Sequence, residues 1–124
     1  MEFYSFVSMT ALQDLVAWQK GMELLTEVQR LSERFPRSER FNLTPQLRKS
    51  TKSILANIAE GFSRATDADK AHKYIIARGE CTETYGHLLI AIGLNYITQE
   101  SAAKALGLTQ HVGKLLTGLI KKFS

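Results

Sequence analysis

The side chains best suited to acid–base or metal chemistry are Glu80, Glu83 and His87, which helical spacing places on one side of a segment, and Asp69 with His72 three residues on. A carboxylate-bridged metal pair inside helices draws acids from all four helices and Glu-x-x-His motifs from two of them. The chain contains no Glu-x-x-His. These residues therefore predict a solvated face and no metal. Cys81 is the only cysteine, so neither an intrachain disulfide nor a cysteine metal site can form, and a buried, inert thiol is expected. The glycines lie at helical intervals rather than clustered between a strand and a helix, so no glycine-rich phosphate loop is present. No Ser, Cys and His arrangement forms a nucleophile system. The reading is of a protein without catalysis or cofactor.

The basic residues make a stronger pattern. Residues 1–43 hold five basic and six acidic groups and residues 65–100 hold three and five, so both are slightly negative. Residues 44–64 carry Arg48, Lys49, Lys52 and Arg64 against Glu60 alone; residues 101–124 carry Lys104, Lys114, Lys121 and Lys122 against no acid. Cations without acidic neighbours repel one another, attract a polyanion and release its counterions on binding. These two segments are the candidate nucleic-acid contacts, RNA or DNA. The competing reading takes them as soluble surface of a protein–protein scaffold. A membrane-surface helix over Lys114–Phe123 ranks last, because a bundle needs those apolar side chains in its own core.

Four helices must position these groups. Pro36 and Pro45 bracket a polar stretch where helices stop and restart. From about Asp14 to Phe35, Trp18, Met22, Leu25, Val28, Leu31 and Phe35 form an apolar stripe. Thr44 before Pro45 predicts a capped helix start, followed by the face Leu47, Thr51, Ile54, Leu55, Ile58 and Phe62. Thr66 with Asp69 predicts the third start, Tyr74, Ala77, Cys81, Tyr85, Leu88, Ile92 and Tyr96 its stripe, and Asn95 its stop. Thr98 predicts the fourth, with Ala105, Val112, Leu115, Leu116, Leu119, Ile120 and Phe123 inside. No segment alternates with a period of two. The expected fold is all-α, an antiparallel up-down four-helix bundle.

Gly79, Gly86 and Gly93 recur every seven residues, close to one line of the third helix. Each costs about 0.8–1.0 kcal/mol relative to alanine, so a close approach of another backbone is the expected compensation. Ile76, Ile90 and Leu94 lie near that line, away from the main stripe. A second subunit is the simplest owner of such a face; a central position in an asymmetric bundle is the alternative. Asn57 and Glu60, beside an apolar run, predict a buried polar network that sets helix register, with a ligand site as the alternative.

At 124 residues and 44% hydrophobic, the chain suits one domain, here residues 14–124 behind an N-terminal extension over residues 1–13. Met9 is a candidate alternative start, which makes Met1–Ser8 an extension. No apolar run approaches the roughly 20 residues that cross a bilayer, and the first ten residues lack the cations of a secretory signal, so a cytoplasmic location away from membranes is expected.

Phe35–Pro36, Glu39, Phe41, Leu43, Thr44, Gln46, Leu47 and Arg48, then Ser53, Ile54, Asn57 to Gly61 and Arg64, form an extended motif. With Asp14, Leu15, Trp18, Gln19 and Lys20 before it and Gly79, Glu83 and Leu88 after it, the chain resembles the four-helix-bundle proteins encoded in intervening sequences of bacterial large-subunit ribosomal RNA genes. The resemblance, from about Asp14 to Tyr96, implies a homopentameric ring or barrel. It also implies a likeness in architecture to the basic accessory protein of diversity-generating retroelements, which binds nucleic acid and a reverse transcriptase. Glu80 stands where a serine is usual, and Tyr85, Gly86 and His87 replace a polar Glu-Thr-Gln run.

Overall fold

A computed structural model describes residues 11–124, and every regular element among them is helical. The expectations for Met1–Ser8 and Met9 lie outside the described residues. Residues 11–14 make one helical turn, Leu15 is extended, and α1 spans Val16–Ser32. Leu12 and Leu15 rest against the core. The inward edge of α1 is Ala17, Gly21, Leu24, Val28 and Leu31. This corrects the predicted stripe: Leu24 is fully buried, Leu25 is half-buried and Met22 is 41% exposed. Adjacent leucines leave periodicity undecided, and the choice is made by packing, with Leu55 lying against Gly21.

The helix stops before Pro36, which disfavours helical backbone at the residue preceding it. A 3-10 turn over Arg37–Glu39 leads into α2, Leu43–Ser63. Thr44 is not the cap, contrary to expectation, because the helix begins at Leu43 with Asn42 at the cap position. The Leu43 N–H instead donates to Glu39 Oε1 at 3.2 Å. Pro45 still falls in the first turn, where a missing N–H costs no intrahelical bond. The third helix, α3, spans Asp67–Gly93, and the Thr66 hydroxyl accepts from the Asp69 N–H at 3.2 Å. It ends where expected: Asn95 takes φ 61°, and the N–H groups of Asn95 and Tyr96 donate to the Ile92 and Ala91 carbonyls, both at 2.9 Å. Helix α4, Gln99–Lys122, starts with a reciprocal cap between Thr98 and Ser101.

Each helix packs on two others, α1 on α2 and α4, and α3 on α2 and α4, around one core. Diagonal pairs barely touch. Fully burying Leu24, Leu31, Leu47, Ile54, Ile58, Leu88 and Leu116 contributes about 1.5–3 kcal/mol each. Between α2 and α3, Ser50 and Thr84 share a buried hydroxyl bond of 2.8 Å, and the Tyr74 ring lies against Gly61. Lys70 Nζ crosses to the end of α2, donating to the Phe62 carbonyl at 2.7 Å. Contacts between neighbours pair low with high residue numbers, Ser32 with Arg48, Ser50 with Thr84, Arg78 with Thr117. No helix among the described residues is long and apolar enough to cross a membrane.

Candidate nucleic-acid interface

Glu39 organises one end of the molecule. Its Oε1 receives the Leu43 N–H and its Oε2 receives the Tyr96 hydroxyl at 2.8 Å, joining the α1–α2 connection to the α3–α4 turn. The Phe35 and Tyr96 rings, 5.8 Å apart, close the same junction from inside. That hydrogen bond, with burial and the negative charge of Glu39, raises the pKa of Tyr96, so the phenol stays a neutral donor. The connection is thereby held with Arg37, Arg40 and Phe41 facing outward.

Arg40 joins Arg48, Lys49 and Lys52 around a cleft of about 420 Å³, with Thr44, Pro45, Ser53 and Ala56 completing its walls. Arg48 Nε donates to Ser32 Oγ at 2.8 Å, which fixes the guanidinium at the α1–α2 boundary. None of Arg37, Arg40, Arg48, Lys49 and Lys52 forms an ion pair among the described residues. Phe41 is 84% exposed, and the Arg40 guanidinium lies 4.8 Å from its ring centroid. An unpaired cationic cleft edged by a bare aromatic ring can hold phosphates and stack a base. Arg37 and Arg40 escaped the sequence reading because the acids of residues 1–43 masked them in a segment total, and Phe41 entered it only as part of the family motif. Arg34, Arg37 and Arg40, spaced by three across the helix break, were the available signal.

The other predicted contacts are elsewhere. Since α2 and α4 are diagonal, the helix-four lysines cannot share one surface with Arg48, Lys49 and Lys52 in a single chain. Lys104 reaches Glu27 of α1 at 3.8 Å, so it has an acidic neighbour supplied by the fold. Lys114 lies beside α3, Lys121 is exposed, and Lys122 is 5.3 Å from the Phe123 ring centroid. Arg64 sits at the end of α2, at the opposite end from the cleft. Glu27 is itself nearly buried, and its hydrogen bond to Arg30 Nη2 at 2.8 Å holds its carboxyl below the ordinary value against burial.

Among the described residues nothing lies within 4 Å of a Cβ built on Gly79, Gly86 or Gly93. These glycines are not buried centrally, and the outer face of α3 also shows Ile90 at 49% and Leu94 at 52% exposure, with Ile76 half-buried. The close approaches inside the chain occur at Gly21 and Gly61 instead. Asn57 and Glu60 do not form the expected buried network. Asn57 Nδ2 donates to its own helix at Ser53 O, and Glu60, half exposed, bridges to Lys73 of α3 at 3.1 Å. A pair three residues apart diverged here because Asn57 found a partner one turn back and Glu60 one across the helix boundary. Ser50 and Thr84 form the buried polar link.

The candidate acid–base groups gather loosely. Glu80 and Glu83 flank a polar hollow with Lys49 and Ser50, and burial, then the hydrogen bond and like charge of Glu83, raise the Glu80 carboxyl despite Lys49. His87 Nε2 lies 3.7 Å from Glu83 Oε1, and its buried Nδ1 has no partner. No group of three metal-ligating side chains occurs among the described residues. Cys81 is buried, which with the nearby Glu80 charge pushes its thiol up to about 12.

The sequence pattern of the family described as 23S rRNA-intervening sequence protein matches residues 13–118. Among solved structures, a protein of unknown function from the S23 ribosomal protein family of Bacteroides thetaiotaomicron VPI-5482 is similar, with 29% identity and a TM-score of 0.78. The match covers 85% of this chain and 98% of that one. No curated protein matches.

Proposed function

The chain belongs to the 23S rRNA-intervening sequence protein family, and from that premise we propose that it is a cytoplasmic, non-catalytic protein that binds RNA through the α2 cleft. The observation that carries the reading is the meeting of Arg40, Arg48, Lys49 and Lys52, none of them ion-paired among the described residues, beside the bare ring of Phe41. The guanidinium and ammonium groups hold backbone phosphates, while Phe41, backed by Arg40, stacks an unpaired base. Looped or single-stranded RNA is therefore the favoured ligand over a uniform duplex, whose bases are already stacked. Lys114, Lys121 and Lys122 add to the field on another face and act as secondary contacts.

The reading treats each chain as an antiparallel up-down four-helix bundle and several copies as a ring, a pentamer by the family resemblance. The solvent-facing glycine line of α3, flanked by Ile76, Ile90 and Leu94, supports a neighbouring copy there. A ring multiplies weak phosphate contacts by holding several clefts on one strand. The same apolar face favours a second reading, a protein–protein assembly module with no nucleic-acid ligand.

Fluorescence anisotropy with a labelled hairpin RNA, at two salt concentrations and against a blunt duplex, separates the two. Salt-sensitive binding that weakens in Arg40→Gln/Lys52→Gln is expected, each lost phosphate contact lowering the logarithmic salt slope by about 0.7–0.9. No binding at low salt, or binding indifferent to salt, rejects RNA and leaves the assembly module.

A further inference from the structure

A second cleft, of about 570 Å³, opens between α3 and α4, the boundary diagonally across from α1 and α2. Its lining runs from Arg78 to Tyr85 on α3 and from Gln110 to Thr117 on α4, a length of about 10 Å at the helical rise. Arg78 Nη1 donates to Thr117 Oγ1 at 3.3 Å, which holds the guanidinium across one end. Lys114, three residues before Thr117 on α4, lines the same cleft. Neither cation forms an ion pair among the described residues, and no carboxylate lines the cleft. The acids of α3, Glu80 and Glu83, lie on the opposite flank of the helix, beside α2.

We propose that this cleft binds a nucleoside monophosphate, its phosphate between Arg78, Lys114 and Thr117 and its base against Tyr85 and Gln110. Two cations at one end meet a dianionic phosphate, and a guanidinium held by a neighbour loses little freedom on binding it. At the other end a half-buried phenol ring offers a stacking face and the Gln110 amide offers both a donor and an acceptor to a base edge. The volume lies within the range of small-molecule sites. Gly113, midway along α4, keeps the wall open, since nothing approaches within 4 Å of a Cβ placed there.

The inference is independent of RNA binding at the α2 cleft. Calorimetric titration of the full chain with each of the four ribonucleoside monophosphates tests it, with inorganic phosphate and the free nucleosides in parallel. Saturable binding of at least one monophosphate, tighter than its nucleoside or phosphate alone, is the expected result. Arg78→Gln and Lys114→Gln each weaken it about tenfold or more, the effect of losing one charge-assisted bond. Gly113→Leu fills the cleft and abolishes binding, whereas Gly118→Leu, also on α4 but outside it, does not. A Cβ at either position meets nothing within 4 Å among the described residues, and circular dichroism matching wild type is the control required of each variant. A 5′-phosphorylated oligonucleotide identifies the source: competition with the free nucleotide places an RNA end in the cleft, and lack of competition reserves it for the free molecule. No monophosphate binding up to about 1 mM, an affinity of only about −4 kcal/mol, or binding that survives Gly113→Leu, overturns the proposal.

Discussion

Protonation of Glu27 bears on stability with a clear sign. Its carboxyl is held below the ordinary value by the Arg30 hydrogen bond, with Lys104 adding charge, so it stabilises the fold at neutral pH. That contribution is present above the unfolded carboxylate range and is lost as pH falls through the lowered value. Glu27→Gln is expected to cost about 1 kcal/mol at pH 7, kept small because both cations face solvent and are screened. Urea unfolding at pH 7 and at low pH checks it, since the difference between variant and wild type should close in acid. Glu80 carries the opposite sign. Its raised carboxyl favours the neutral form, so stability falls as pH rises through that value. Glu80→Gln should therefore melt above wild type at pH 7, with the gap closing below the carboxylate range; a lower melting temperature would show that the Lys49 attraction outweighs burial.

Among the elements, the α2–α3 pair is held by features that helical propensity alone ranks wrongly. Alanine is the better helix former, yet Gly61→Ala places a methyl 2.7 Å from the Tyr74 ring, which is fully buried and has nowhere to move. Destabilisation of about 1–3 kcal/mol is expected. Gly79→Ala meets nothing among the described residues and should stabilise an isolated chain by up to about 1 kcal/mol. Denaturation midpoints of the two variants should move in opposite directions. One level along the same boundary, Ser50→Ala strands the buried Thr84 hydroxyl and should cost about 1–2 kcal/mol. Ser50→Ala/Thr84→Val should recover much of that loss, a non-additivity that a double-mutant cycle reads directly.

For the whole molecule, the proposed ring would place a neighbouring copy on the outer surface of α3. Gly86→Leu adds a side chain on the presumed contact line while leaving the chain's own packing untouched. Sedimentation should show a smaller particle with unchanged helix content; equal sizes for variant and wild type would remove the glycine line as an interface. The proposed association and the proposed RNA binding are separable by experiment, because the α2 cleft uses only residues of one chain. Phe41→Ala should lower affinity for hairpin RNA while sparing duplex binding and oligomer size, with stacking worth about 1–3 kcal/mol per base.

The four long helices and the Thr66, Asn95 and Thr98 signals were legible because they rest on local geometry: 3.6-residue periodicity, hydroxyl caps, and the left-handed conformation that asparagine tolerates; the short helical turns at residues 11–14 and Arg37–Glu39 were not. Arg48, Lys49 and Lys52 stood out for the same reason, being near neighbours on one helix. The rest depended on which helix lies beside which. Only packing selected Leu24 over Met22 and paired Lys104 with Glu27 rather than with a phosphate. It also placed α4 diagonal to α2 and brought Arg40 to the cleft. Those outcomes are set by burial and charge between segments far apart in the chain, distances over which spacing along the sequence carries no direction.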